Sequence, residues 1–248
     1  MAILIKFLMT ETFINKEYLE QDAIRDLSIK YQNAKPFPHI EISNFFKKDI
    51  IQDINLNFPN LQKINSYKRD SKNEIKFGLE DQSKIPKNIS DFIMFLNSQN
   101  FLRLLQEITS IEELLISDPY LLGGGLHETK KGGFLKVHSD FYTHQKFKLD
   151  RRLNLLIYLN DDWKYEYGGH LELWDKYMKN CVKKVEIGFN KLCIFSTDNF
   201  SFHGYPDPID CPENKSRKSL ALYYYSNGRP DKESMKSMPN TTNWKNRL

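Results

Sequence analysis

Two stretches of the chain carry strand patterning, and two carry a helical period. Arg151 to Asn160 reads Arg-Arg-Leu-Asn-Leu-Leu-Ile-Tyr-Leu-Asn, and Arg217 to Tyr225 reads Arg-Lys-Ser-Leu-Ala-Leu-Tyr-Tyr-Tyr. Short aliphatic and aromatic runs of this kind predict β-strands. On the first, period-two alternation puts Arg152, Asn154, Leu156 and Tyr158 on one face, and Leu153, Leu155, Ile157 and Leu159 on the other. On the second, Arg217, Ser219, Ala221 and Tyr223 share a face. Apolar residues recur at three-to-four spacing over Ile89 to Phe101 (Phe92, Ile93, Phe95, Leu96) and over Leu102 to Leu115 (Leu104, Leu105, Ile108), which predicts two helices. Lys35-Pro36-Phe37-Pro38-His39-Ile40 predicts a rigid turn into an extended piece. Ser66 to Lys87 is polar and charged and predicts a surface loop able to reach an active-site mouth. Met1 to Met9 is apolar, too short to span a bilayer and without a small-residue cleavage site, so it predicts a buried first strand.

These elements divide the chain into three parts. Residues 1–116 form a mostly helical support region, 117–226 a strand-rich core, and 227–248 a polar tail with Pro230 and Pro239 that is a loose end or a lid. At 248 residues the whole fits one integrated domain. Apolar residues at 40% and aromatics at 13% predict a packed core. The net charge of +4, from 36 basic and 32 acidic residues, is small and spread out. Lys130-Lys131 and Lys183-Lys184 read as solvated edges, so no nucleic-acid partner is expected. Cys181, Cys193 and Cys211 show no metal-ligand spacing and no even disulfide set, which predicts a reducing, cytoplasmic setting. No segment approaches transmembrane length, so no membrane association is expected.

The chemistry lies in His138-Ser139-Asp140, His203 and Arg217-Lys218-Ser219. His138 and Asp140 are two apart, so on a strand both side chains reach one side. A lone histidine about sixty residues later completes a 2-His-1-carboxylate set, the donor combination that holds Fe(II) on one face and leaves the other positions open. Arg217 opens a strand whose shared face continues with Ser219 and the small Ala221, leaving room for a ligand. Its planar fork suits a carboxylate, so it is a candidate carboxylate clamp. Lys136 shares the face of His138 and Asp140 and is expected to line the substrate side. Asn154, on the face of Tyr158, is expected to touch cosubstrate or substrate. His39, His144 and His170 are expected to be structural or exposed and to stay off the metal.

Over Gly123 to Gly228 the sequence resembles the Fe(II)/2-oxoglutarate oxygenase domain of the prolyl 4-hydroxylase-like superfamily. The matching pieces are Gly132 to Asp140, Arg151 to Asn160, Tyr167-Gly168-Gly169-His170-Leu171-Glu172-Leu173, Leu192 to Ser196, His203-Gly204 and Arg217 to Tyr225. The resemblance implies a mainly β fold with helical additions. Its core would be a double-stranded β-helix, or jelly roll, with the N-terminal helices packed on one sheet. It assigns iron to His138, Asp140 and His203 and the distal carboxylate of 2-oxoglutarate to Arg217, with Tyr158 donating to the same cosubstrate and Ser219 beside it. Many members carry a tyrosine about ten residues before the first iron ligand, where this chain has His127. That histidine is either a further donor to cosubstrate or substrate, or a strand-end residue without a catalytic part. The implied activity is dioxygenase hydroxylation of an unactivated C–H bond, consuming O2 and 2-oxoglutarate and releasing succinate and CO2, with ascorbate as a candidate reductant. The expected substrate is peptidyl proline. The alternatives are a small molecule, such as a free amino acid or sugar-linked metabolite, and a non-catalytic jelly-roll binding protein.

Overall fold

Leu153, Leu155, Ile157 and Leu159 are wholly buried along one face of a strand, as their alternation predicts, and the sheet is built outward from that strand. The structure is a computed structural model describing residues 10–64, 66–230 and 240–247. The strand expected over Met1 to Met9 lies outside the described residues, as do residues 231–239 of the tail. In chain order the strands are β1 (His39–Ser43), β2 (Tyr67–Asp70), β3 (Glu74–Leu79), β4 (Ile116–Ser117), β5 (Gly125–Thr129), β6 (Phe134–Ser139) and β7 (Asp150–Tyr158). They continue with β8 (Leu171–Trp174), β9 (Cys181–Val185), β10 (Lys191–Ser196), β11 (His203–Tyr205), β12 (Arg217–Ser226) and β13 (Asn243–Trp244). The helices that matter to the packing are α1 (Gln21–Asn33), α2 (Lys48–Leu56), α3 (Lys87–Leu96) and α4 (Gln99–Thr109).

The thirteen strands form one antiparallel sheet in the order β1-β10-β7-β12-β5-β3-β6-β11-β8-β9, with β2 on β3, β4 on β12 and β13 on β6. This is the jelly-roll arrangement the family resemblance implies. Its outer face carries the main core. Leu153, Leu155 and Ile157 of β7 and Leu220, Leu222 and Tyr224 of β12 pack into one cluster with Phe92, Phe95, Phe101, Leu104 and Ile108 of α3 and α4. Phe13 stacks on Phe95 at 4.3 Å, and Phe46 meets Phe92 edge-on at 5.0 Å. The Tyr224 hydroxyl donates to the Leu96 carbonyl at 3.1 Å, tying α3 to the sheet. Each such side chain contributes about 1.5–3 kcal/mol by leaving water.

Three local readings need correction. The two helices meet at Asn97-Ser98 rather than at Phe101-Leu102, because the Ser98 hydroxyl caps α4 by accepting the Phe101 N–H at 3.4 Å. Ser66 to Lys87 is not a plain loop. It contains the β2–β3 hairpin, whose second strand pairs with β5 and β6. Its polar residues misled the reading because they face a cavity, so polarity does not mark a loop there. Finally, the β7–β12 register steps from Leu153↔Tyr224 directly to Arg151↔Tyr225. The extra residue, Arg152, is a bulge that reverses the parity of the strand. Arg152 therefore turns outward, its Nη1 donating to Glu113 Oε2 at 2.6 Å and to Ser226 Oγ at 3.0 Å, while Arg151 faces in.

Candidate active site

The inner face of the sheet encloses a cavity of about 100 Å³. His203 stands directly opposite His138 in the β11–β6 register, and Asp140 follows His138 by two residues, at the end of β6. Pairing brings the rings to 4.5 Å between centroids. His138 Nε2 lies 3.5 Å from Asp140 Oδ1, and His203 Nε2 lies 3.5 Å from Asp140 Oδ2. One ligand atom from each residue falls within 4.8 Å of the others, and this is the only such group among the described residues. Close strand approach is needed here: a Cβ on Gly204 would sit 2.8 Å from the Leu135 and Lys136 carbonyl oxygens.

The donor set suits a divalent ion. His138 Nδ1 donates to the Lys136 carbonyl at 2.8 Å and His203 Nδ1 donates to the Ser201 carbonyl at 2.9 Å, so each Nε2 presents a lone pair inward. Burial first, and then the neighbouring His138, push His203 down to about 4, leaving it neutral and ready to ligate. Burial raises Asp140, but the Arg151 cation and the two histidines outweigh it and hold the carboxyl well below its ordinary range. Asp140 is thus a carboxylate at any working pH. It is also anchored: Asn154 Nδ2 donates to its Oδ2 at 2.7 Å, and Arg151 Nη2 lies 3.1 Å away.

Arg151 carries no signal in strict alternation, and only the bulge reveals it. Its fully buried guanidinium donates to Asn154 Oδ1 from Nε at 2.9 Å and from Nη2 at 2.7 Å, and it lies 3.5 Å over the Tyr223 ring. Asn154, expected to touch cosubstrate or substrate, lines the cavity with its amide held between Asp140 and Arg151.

Arg217 enters the same cavity from the first position of β12 and is 3% exposed. Its Nε donates to the Gly169 carbonyl at 3.0 Å, and its Nη2 donates to the Tyr158 hydroxyl at 3.3 Å. Gly169 has φ +73°, a conformation natural to glycine, and this turns the carbonyl toward the guanidinium. The rings of Tyr158 and Tyr205 flank the guanidinium at 5.0 and 4.3 Å. Tyr158 itself is wholly buried, with burial raising its hydroxyl above the ordinary tyrosine value, and it holds Arg217 from behind. Ser219 lines the cavity beside Arg217.

His127 also lines the cavity, its Nε2 3.2 Å from the Gly123 carbonyl. Burial, then the cations Lys76, Arg217 and Arg69, hold it well below its ordinary value, so it is a neutral imidazole. Lys136 is not among the lining residues. His39, His144 and His170 stay away from the cluster: His39 Nδ1 meets the Phe37 carbonyl, His144 Nε2 lies 3.6 Å from Asp118, and His170 Nδ1 accepts the Ile187 N–H. Phe141, Tyr205, Thr242 and Trp244 line the cavity without having been singled out from the sequence. Thr242 and Trp244 belong to the tail segment, which folds back as β13 along β6 and sets the Trp244 ring 4.8 Å from His138.

A jelly roll that gathers two imidazoles and a carboxylate inside, with a buried arginine in the same cavity, has the architecture of the mononuclear non-haem oxygenases. Residues 124–225 match the model of the 2OG-Fe(II) oxygenase superfamily. No curated protein matches it by sequence. Among solved structures, a Pseudomonas putida prolyl-4-hydroxylase is similar at TM-score 0.57 and 14% identity, over 82% of this chain and 100% of that one. A Trichoplax adhaerens prolyl hydroxylase, solved with a hypoxia inducible factor oxygen degradation domain peptide fragment, gives 0.58 and 16%, over 91% and 98%. HygX from Streptomyces hygroscopicus, solved with nickel, 2-oxoglutarate and hygromycin B, gives 0.52 and 12%, over 84% and 92%. At these identities the likeness is one of fold.

Proposed function

We propose that the chain is an Fe(II)- and 2-oxoglutarate-dependent dioxygenase that hydroxylates an unactivated C–H bond. The observation that carries this reading is the convergence of His138 Nε2, His203 Nε2 and the Asp140 carboxylate in one cavity with the buried Arg217 fork. The three ligands would hold the metal on one face. Arg217, backed by Gly169 and Tyr158, would fix the distal carboxylate of 2-oxoglutarate, with Ser219 beside it. Asn154 and Arg151 would hold Asp140 in its ligating rotamer. Leu135, Leu156, Leu171 and Phe195 would exclude water from the cosubstrate. Iron, 2-oxoglutarate and O2 together supply the oxidising power, with succinate and CO2 as coproducts.

For the primary substrate, resemblance to prolyl 4-hydroxylases supports a prolyl residue in a peptide. A small molecule is the second reading, and it is favoured by the small volume of the cavity and by its several charged walls. The three thiols are free, and ferrous iron needs a reducing medium, which supports the cytoplasm as the place of action. No helix among the described residues is long and apolar enough to cross a membrane.

The test needs no substrate. Protein purified without oxygen, loaded with Fe(II) and 2-oxoglutarate and then exposed to air with ascorbate as reductant, should slowly form succinate, and His138→Ala should not. Tight binding of both cofactors without any succinate would turn the reading toward a binding protein.

A further inference from the structure

Four cations line the cavity, Arg69, Lys76, Arg151 and Arg217, against two carboxylates, Glu74 and Asp140. A divalent metal would add two positive charges, and the dianionic cosubstrate would remove two. The loaded site therefore keeps a formal excess of two positive charges in a cavity of about 100 Å³. Two of the cations have partners in that accounting: Arg151 lies 3.1 Å from Asp140, and Arg217 is the clamp for cosubstrate.

One of those two excess charges falls on the β2–β3 hairpin. Arg69 Nη1 lies 3.2 Å from Glu74 Oε1, and Lys76 Nζ lies 3.4 Å from Glu74 Oε2, so two cations share one carboxylate. The Glu74 and Lys76 side chains are 8% and 11% exposed, whereas Arg69 is 48% exposed and reaches in from the rim, so the cost of burial falls on Lys76. A cation that is mostly withdrawn from water and only half neutralised is costly unless an anion joins it. An uncharged substrate would leave that cost standing; an anionic one would remove it and gain charge-assisted hydrogen bonds.

We propose that the primary substrate is a small molecule bearing an oxyanion, carboxylate or phosphate, which seats on Arg69 and Lys76, and that the site selects this charge rather than a prolyl ring. The proposal rests on the oxygenase reading of the same cavity and assigns the hairpin as its specificity element.

Two measurements test it. In the first, inorganic phosphate is titrated calorimetrically into protein loaded with Fe(II) and 2-oxoglutarate under nitrogen. Phosphate should bind, and Lys76→Gln and Arg69→Gln should each weaken it about tenfold or more, the scale of one lost charge-assisted contact. Glu74→Gln removes the shared counter-charge and should tighten binding. A damaged fold does not improve affinity, so these opposed signs separate recognition from misfolding. Lys72→Ala, in the exposed turn of the hairpin, should change nothing. In the second, acceleration of succinate release is compared across free amino acids and their amides, sugar phosphates and their parent sugars, and uncharged prolyl peptides. Acceleration should follow the oxyanion. The proposal is overturned if loaded protein does not bind phosphate, if Lys76→Gln and Glu74→Gln bind it alike, or if uncharged prolyl peptides accelerate as well as the anions. Absence of succinate in every reaction of the unaltered protein would instead be a failure of the oxygenase reading, and the phosphate titration would still decide the charge site.

Discussion

Replacing Arg217 is the sharpest perturbation of the proposed cosubstrate site. The guanidinium is 3% exposed and fixed by the Gly169 carbonyl, the Tyr158 hydroxyl and two flanking tyrosine rings, so its remaining N–H groups are aimed before any ligand arrives. Losing one partner of a buried charge pair costs about 2–5 kcal/mol. At about 1.4 kcal/mol per tenfold, Arg217→Ala should weaken 2-oxoglutarate by roughly 30-fold to several thousand-fold. Arg217→Lys keeps the charge but loses the fork and the Nε contact to Gly169, so it should fall near the lower end of that range. Arg217→Ala also orphans a buried carbonyl, a stability loss of about 1–3 kcal/mol, and the lysine variant guards against confusing that with lost recognition. The assay is calorimetric titration of 2-oxoglutarate into Mn(II)-loaded protein under nitrogen, where no turnover intervenes. Pyruvate, which has no distal carboxylate, should bind weakly and equally to all three proteins. An unchanged 2-oxoglutarate affinity in Arg217→Lys and Arg217→Ala would refute the clamp. Lys218 offers no substitute, because its Nζ lies on the outer face, 5.2 Å over the Phe58 ring.

Four further outcomes follow from the geometry. Asn154→Ala removes the amide that holds Asp140 Oδ2 and should lower metal affinity about 10- to 100-fold in a chelator competition, with the fold intact by circular dichroism. Gly204→Ala forces a Cβ against two carbonyl oxygens of β6 and should lower both the melting temperature and the metal content, whereas Gly132→Ala, strained by its φ of +77° but with open space around it, should lower the melting temperature and spare the metal. In EDTA, the metal-free protein should lose stability as pH falls from about 6.5 toward 4. His203, at about 4 folded and near 6.5 unfolded, binds its proton mainly in the unfolded chain over that window, a linkage on the order of 3 kcal/mol, and the buried His127 acts in the same direction. His127→Asn should flatten the slope of melting temperature against pH. Ile157→Ala, at a wholly buried site of the central strand, should cost about 2–5 kcal/mol by denaturant titration without altering the affinity for 2-oxoglutarate.

The clustering of His138, Asp140 and His203 was legible in the sequence because a strand converts spacing into direction: His138 and Asp140 had to share a side, and an apolar ladder had to flank them. Arg217 was legible for the same reason. The same rule failed at Arg151 and Arg152, where one bulged residue exchanges the inward and outward arginines, and nothing in the local composition announces the exchange. The β2–β3 hairpin was hidden because inward residues of a ligand-holding sheet are polar, which removes the contrast that alternation relies on. The strand at Asn243-Trp244 is two residues long, too short for any pattern, and its place against His138 comes from long-range pairing with β6. Asn154 lines the cavity, but its partner could not be named without the bulge that brings Arg151 inward.

The residues proposed to clamp cosubstrate and those proposed to meet substrate occupy sheet positions of unequal permanence. Arg217, Ser219, Tyr158 and Asn154 lie on β7 and β12, two long central strands paired on both sides, whereas Arg69 and Trp244 lie on β2 and β13, each paired along one edge only. Amide hydrogens of β7 and β12 should exchange with deuterium only through global opening, and those of β2 and β13 through local fraying. Inheritance should follow the same division. A lineage can rewrite the two edges of the cavity while leaving untouched the central strands that line it and keep the protein folded.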